Sequence, residues 1–149
     1  MGIAFQFFPT GGIAMKKISN ILLFGLTLLT LLVMMAGCGN REGQTKQNLQ
    51  IAIEAANKQK TPENYLTLSL RYYEAGQFEK CIEAAQEAIK LRPNYAPAYN
   101  NIGAAYNSLK MWEKGIEACQ KALEIDPGFQ LAKNNLNWAL SQKQLGGKK

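Results

Sequence analysis

Two kinds of side chain in this sequence could do chemistry at a defined spacing: a cysteine, Cys38, at the end of an apolar run, and two Asn-Asn pairs, 100–101 and 134–135, set 34 residues apart. An asparagine amide carries both donors and an acceptor, so a row of them can grip a peptide backbone without regard to its side chains. The other two thiols, Cys81 and Cys119, stand apart from any partner in the sequence. There is no histidine and a single aspartate, Asp126. Without imidazole the chain lacks the usual general base near neutral pH and any His-supported triad. No nucleophile has a base beside it, and two thiols without histidine make a poor metal set. The expectation is a non-enzymatic protein with no cofactor and no metal. Cys81 and Cys119 are expected to be small buried spacers rather than a disulfide.

The net charge of +6 is spread thinly. Lys16 and Lys17 precede the apolar run; from Cys38 onward, 15 basic residues face 11 acidic ones. The charges alternate in sign, as at Glu79, Lys80, Glu83, Glu87 and Lys90. That is a solvated helix face, not a track for phosphates, and it argues against a nucleic-acid partner.

Cys38 closes a segment with three zones. Residues 15–40 read MKKISNILLFGLTLLTLLVMMAGCGN: a basic start, an apolar stretch from Ile21 to Ala36, then Ala36 and Gly37 before the cysteine. These are the zones of a secretory signal peptide. The segment resembles a bacterial lipoprotein signal, whose lipobox ends in two small residues and an invariant cysteine; Met35 stands where leucine is commoner. The resemblance implies lipidation of Cys38, cleavage before it, and attachment to the extracytoplasmic side of a membrane. Gly39 after the cysteine leans towards the outer membrane in a cell that has two. The alternative is an uncleaved helical anchor, for which the run is about long enough. Residues 1–14 read as an upstream start extension, since Met15 suits the signal better, and 38–47 as a polar tether.

The elements that would position the asparagines follow from a repeat. IEACQKALEIDPGF at 116–129 echoes IEAAQEAIKLRPNY at 82–95. Extending the offset of 34 places Tyr65 on Tyr99, Leu68 on Ile102, Tyr72 on Tyr106, Phe78 on Trp112 and Pro93 on Pro127. Apolar residues spaced 3–4 apart predict a helix from Pro62 and a second from Phe78, with turns at 74–77 and 108–111. Pro93 and Pro127 cannot continue the second helix. Each unit, 62–95 and 96–129, is therefore helix, turn, helix, and each can cover its apolar side only by stacking on a copy. Residues 48–60, apolar at 49, 52, 53 and 56, read as a truncated second helix of an earlier unit. Residues 130–143 read as a first helix serving as a solvating cap, with 144–149 a tail.

Repetition at this period resembles the tetratricopeptide repeat. The resemblance implies an all-α solenoid of antiparallel helix pairs whose first helices line a concave groove for a peptide. On that basis the groove residues are Leu66, Leu70 and Tyr73; Asn100, Asn101, Ala104 and Asn107; and Asn134, Asn135, Trp138 and Ser141. Leu66 occupies the place of a lysine that clamps acidic C-terminal tails, which argues against chaperone tails as partners. The implied function is a membrane-tethered protein-interaction module with a protein or peptide partner. Two alternatives remain: an accessory subunit that uses its convex face, and a binder of glycans or small molecules.

Overall fold

The computed structural model describes residues 41–146, so Cys38 and the expected leader and start extension lie outside the described residues. The described chain holds six helices and no strand: α1 (41–58), α2 (Pro62–Glu74), α3 (Phe78–Leu91), α4 (Ala96–Ser108), α5 (Trp112–Ile125) and α6 (Gln130–Gly146). Helix α2 pairs with α3 and α4 with α5, while α2, α4 and α6 touch in succession as an inner row. Helices α1, α3 and α5 form the outer row.

Local signals set the boundaries. Thr61 Oγ1 accepts the Asn64 N–H at 3.1 Å, and Pro62 fills the first turn, where its missing N–H costs nothing. Helices α3 and α5 stop two residues before Pro93 and Pro127. The turn from α2 to α3 passes through Gly76 at φ +71°; the matching turn from α4 to α5 places Lys110 at φ +59°. The left-handed conformation thus belongs to the turn itself, and it persists where glycine is absent.

The core is built from small groups. Cys81, Ala85, Ala88, Ala98 and Ala105 are fully buried, with Tyr65, Tyr72, Phe78 and Tyr106 packed around them. Alanine brings backbones close, and the larger aromatic rings pack around that small-residue centre. Where α4 crosses α5, Gly103 and Gly115 face each other. A Cβ on Gly103 would sit 2.5 Å from Cys119 Sγ and 3.2 Å from the Gly115 carbonyl oxygen.

Two expectations need correction. Residues 41–47, read as a tether, are helical and belong to α1. Their composition is polar, but Gln44 and Asn48 bond along the helix at 3.0 Å, as neighbours one turn apart can. The capping helix runs on to Gly146 and is not polar on its outside: Leu131, Leu140 and Leu145 are exposed. It keeps the apolar positions of a first helix although no second helix follows it among the described residues.

Candidate peptide-binding face

Three rows of residues, spaced 34 apart, lie along the inner helices: Leu66, Asn100 and Asn134; Leu70, Ala104 and Trp138; Tyr73, Asn107 and Ser141. The middle row is the open one. Leu70 is 41% and Trp138 48% exposed, with the half-buried Ala104 between them. Two ring pairs support this face. Trp138 meets Trp112 edge-on at 5.3 Å, and Tyr73 meets Phe78 at 5.4 Å. Trp112 and Phe78 begin α5 and α3, so the start of each outer helix props one inner-face ring. Ser108 Oγ and Tyr73 Oη lie 3.2 Å apart, joining α4 to α2. Leu66 is half-buried against the core, and its carbonyl accepts the Ser69 hydroxyl at 2.7 Å.

The asparagines behave differently from a row of open amides. Asn100 is 6% and Asn107 3% exposed; both lie under neighbouring helices instead of on the face. Asn135 Nδ2 on α6 donates to Asn100 Oδ1 on α4 at 2.9 Å, and Asn107 Nδ2 on α4 donates to the Asn135 carbonyl at 3.1 Å. One helix pair earlier, Asn101 Nδ2 on α4 donates to Ser69 Oγ on α2 at 2.8 Å. Asn101 and Asn135 are equivalent positions, and each reaches back to the preceding inner helix. These amides stitch the inner row together. Ser69 stands where the next unit has Gly103, and its hydroxyl oxygen is the acceptor for Asn101. Asn134 alone of the paired asparagines is exposed, and its Oδ1 accepts Gln130 Nε2 at 2.9 Å. Asn107 Oδ1 is the buried side-chain atom left without a partner among the described residues, and a Cβ on Gly115 would collide with it. The pairs were visible in the sequence, but their burial was not, because it depends on how closely α6 leans on α4.

Charge is kept off the inner face, whose three rows are neutral. Ion pairs lie at the edges and ends. Lys143 on α6 meets Glu113 on α5 at 3.1 Å. Glu113 is held below the usual carboxylate range by its own backbone N–H at the helix start and then by Lys143. Glu63 is lowered likewise, by its backbone N–H and by Arg92. Exposed pairs of this kind add little stability.

Sequence reasoning did not single out a second recurring feature, on the outer side. A hollow of about 610 Å³ lies between α3 and α5 over Tyr99, Ile102 and Tyr106 of α4. Its counterpart one unit earlier, about 510 Å³, lies over Leu68 and Tyr72 of α2. Lys114 Nζ sits 5.5 Å from the Tyr106 ring centre and Lys80 Nζ 5.7 Å from that of Tyr72. The signal was present as a tyrosine followed eight residues later by a lysine in both units. These ammonium groups lie near the ring faces and line the hollows.

Cys81 and Cys119 are fully buried and unpaired with each other. Burial pushes the Cys81 thiol up to about 12 and that of Cys119 to about 11. Among the described residues no group of three or more His, Cys, Asp or Glu side chains converges, and no helix is long and apolar enough to cross a membrane.

Two family profiles match the chain: "Tetratricopeptide repeat" over residues 96–129 and "TPR repeat" over 70–110. Solved structures share the fold. The Sgt2 TPR domain from Aspergillus fumigatus superposes with a TM-score of 0.66 at 19% identity, covering 72% of this chain and 74% of that one. The first TPR of Spaghetti (RPAP3), bound to the HSP90 peptide SRMEEVD, gives 0.64 at 19% identity, covering 69% and 82%. The MamA protein gives 0.62 at 28% identity, covering 68% of this chain but only 56% of that one. No curated protein matches the sequence.

Proposed function

Because the chain belongs to the tetratricopeptide-repeat family, we propose that it is a non-catalytic protein-interaction module, held at the extracytoplasmic face of a bacterial membrane through a lipid on Cys38. Its partner is an extended segment of another protein, laid along the inner row over Leu70, Ala104 and Trp138. The observation that carries this reading is that open row of uncharged apolar side chains, in which Trp138 is propped by Trp112, beside Tyr73 propped by Phe78. The likeness to a Spaghetti domain solved with a peptide supports a peptide partner. That peptide, SRMEEVD, is acidic. Here Leu66 and Leu70 are neutral and apolar, which favours an apolar or uncharged segment.

The inner face offers an exposed tryptophan, Trp138, a residue type enriched among binding hot spots, with Leu70 as an apolar neighbour on the same row. Among the asparagines, Asn134 is placed to bond a bound backbone, while Asn100, Asn101, Asn107 and Asn135 hold the wall in shape. Leu66, Tyr73 and Ser141 complete its edges.

The test is cross-linked capture from detergent-solubilised membranes by the full chain, followed by affinity measurement on the captured segment. Leu70→Ala and Trp138→Ala should each weaken binding by roughly 1–2 kcal/mol, and Asn134→Ala by about 1 kcal/mol. Unchanged affinity in all three, with cross-links on α3 and α5, would move the site to the outer helices. The tether is tested separately: Cys38→Ser should abolish metabolic labelling by a fatty acid and release the protein from the membrane fraction. Labelling that persists would overturn the lipid assignment.

A further inference from the structure

Helices α1 and α6 are each half of a unit. Helix α1 is an outer helix with no inner helix before it among the described residues, and α6 is an inner helix with no outer helix after it. In the middle of the stack the seat of an inner helix is fully visible. Helix α2 rests between α3 and α4, where α4 presents Asn101, bonded to Ser69, and the fully buried Ala105. Helix α4 is met in the same way by α6, through Asn135 and the fully buried Ala139. The equivalent residues of α2, 34 positions earlier, are Thr67 and Arg71. Among the described residues they face no inner helix. Instead they line a hollow of about 160 Å³ together with Asn48, Ile51, Ala52 and Ala55 of α1. Ile51 is 57% exposed.

We propose that this hollow is the seat of an inner helix supplied by a second copy of the chain, and that the helix is α6. The two ends are complementary by phase. Helix α4 meets α6 through Asn100 and Asn107; the matching residues of α6 are Asn134 and Ser141, and these would meet Thr67. Helix α4 packs on α5 through Ile102 and Tyr106; the matching residues of α6 are Leu136 and Leu140, and these would pack on Ile51 and Ala55 of the partner's α1. The joint would be one more unit of the solenoid, made from α6 of one molecule and α1 of the next. A face that joins head to tail without closing generates open arrays. The occupant is a second copy rather than a different protein because the joint repeats the packing that already unites the chain's own units. The joint shares Asn134 and Ser141 with the inner-face reading, since it would cover them as α6 covers Asn100, and it leaves Leu70, Ala104 and Trp138 to the partner segment.

The experiment is sedimentation velocity of the full chain in a mild, density-matched detergent, raised to roughly 1 mM, where a contact weaker than about 4 kcal/mol is the only kind to escape. The expected result is mass that grows with concentration beyond a dimer. Ile51→Lys and Leu140→Lys, both at exposed sites and checked for helicity by circular dichroism, should each abolish growth. An equimolar mixture of the two should form a one-to-one pair and stop there, since one variant keeps its α6 and the other its seat. Leu70→Ala should leave assembly unchanged. The proposal is overturned if the wild type stays monomeric, if association survives both lysine substitutions, if Leu140→Lys alone matters, or if the mixture does not pair.

Discussion

Lys110 carries the burden of a turn that was made for glycine. At φ +59° its Cβ crowds the backbone, whereas Gly76 takes the same conformation freely. Lys110→Gly should therefore raise stability by about 1 kcal/mol in urea unfolding, and Gly76→Ala should lower it by a similar amount. The buried thiols give a second expectation at this scale. Cys81 and Cys119 titrate higher when folded than when unfolded, so folding favours the protonated form. Their contribution is complete below the unfolded value near 9 and is lost as pH rises towards 11–12. Urea midpoints should fall over that window, and the fall should vanish in a variant with both cysteines replaced by alanine. In the native state neither thiol should react with iodoacetamide at pH 8, because thiolate and access are both lacking.

At the scale of helices, the inner row is held by amides that each span two elements. Asn135 and Asn100 form one such pair across α6 and α4. Removing Asn135 leaves the buried Asn100 amide oxygen unpaired, so Asn135→Ala should cost about 1–3 kcal/mol and Asn100→Ala, which frees a half-buried partner, about 1 kcal/mol. The double variant should cost less than the sum, because residues in direct contact are coupled. Strict additivity in a double-mutant cycle would show that the pair contributes nothing as a pair. Gly103 acts between α4 and α5. Gly103→Ala presses a methyl against Cys119 and the Gly115 backbone, and should cost about 1–3 kcal/mol by overpacking. The same crossing in the first pair carries Ser69 and Cys81, so the two units solve one packing problem with different atoms.

For the whole molecule, the neutral inner face sets the character of recognition. Binding through Leu70, Ala104 and Trp138 should change little between 50 and 500 mM salt, concentrations at which exposed charge pairs weaken steeply (the screening length falls from more than 10 Å at about 0.05 M towards 3 Å at about 1 M). A steep loss of affinity with salt, measured by calorimetry on the captured segment, would instead point to the charged outer helices.

The sequence by itself determined the periodic parts of this protein. The 34-residue offset, the 3–4 spacing and the prolines specified pairs of helices and where each pair ends, because helix periodicity and the missing proline N–H act locally. The placing of Leu70 and Trp138 on one row came from the resemblance to the repeat family, and their exposure only from the folded chain. Tertiary structure decided the rest. Asn100 and Asn107 carry the same amide as Asn134, and only the approach of α6 turns the first two inward as ties while leaving the third on the face. The polar composition of 41–47 suggested a tether, yet those residues extend α1, since polar side chains can bond along a helix as readily as along a coil. The open apolar side of α6 and the hollow beside α1 also belong to this level: a repeat specifies how each unit meets its neighbour, but only the folded chain shows which side chains stay uncovered among the described residues.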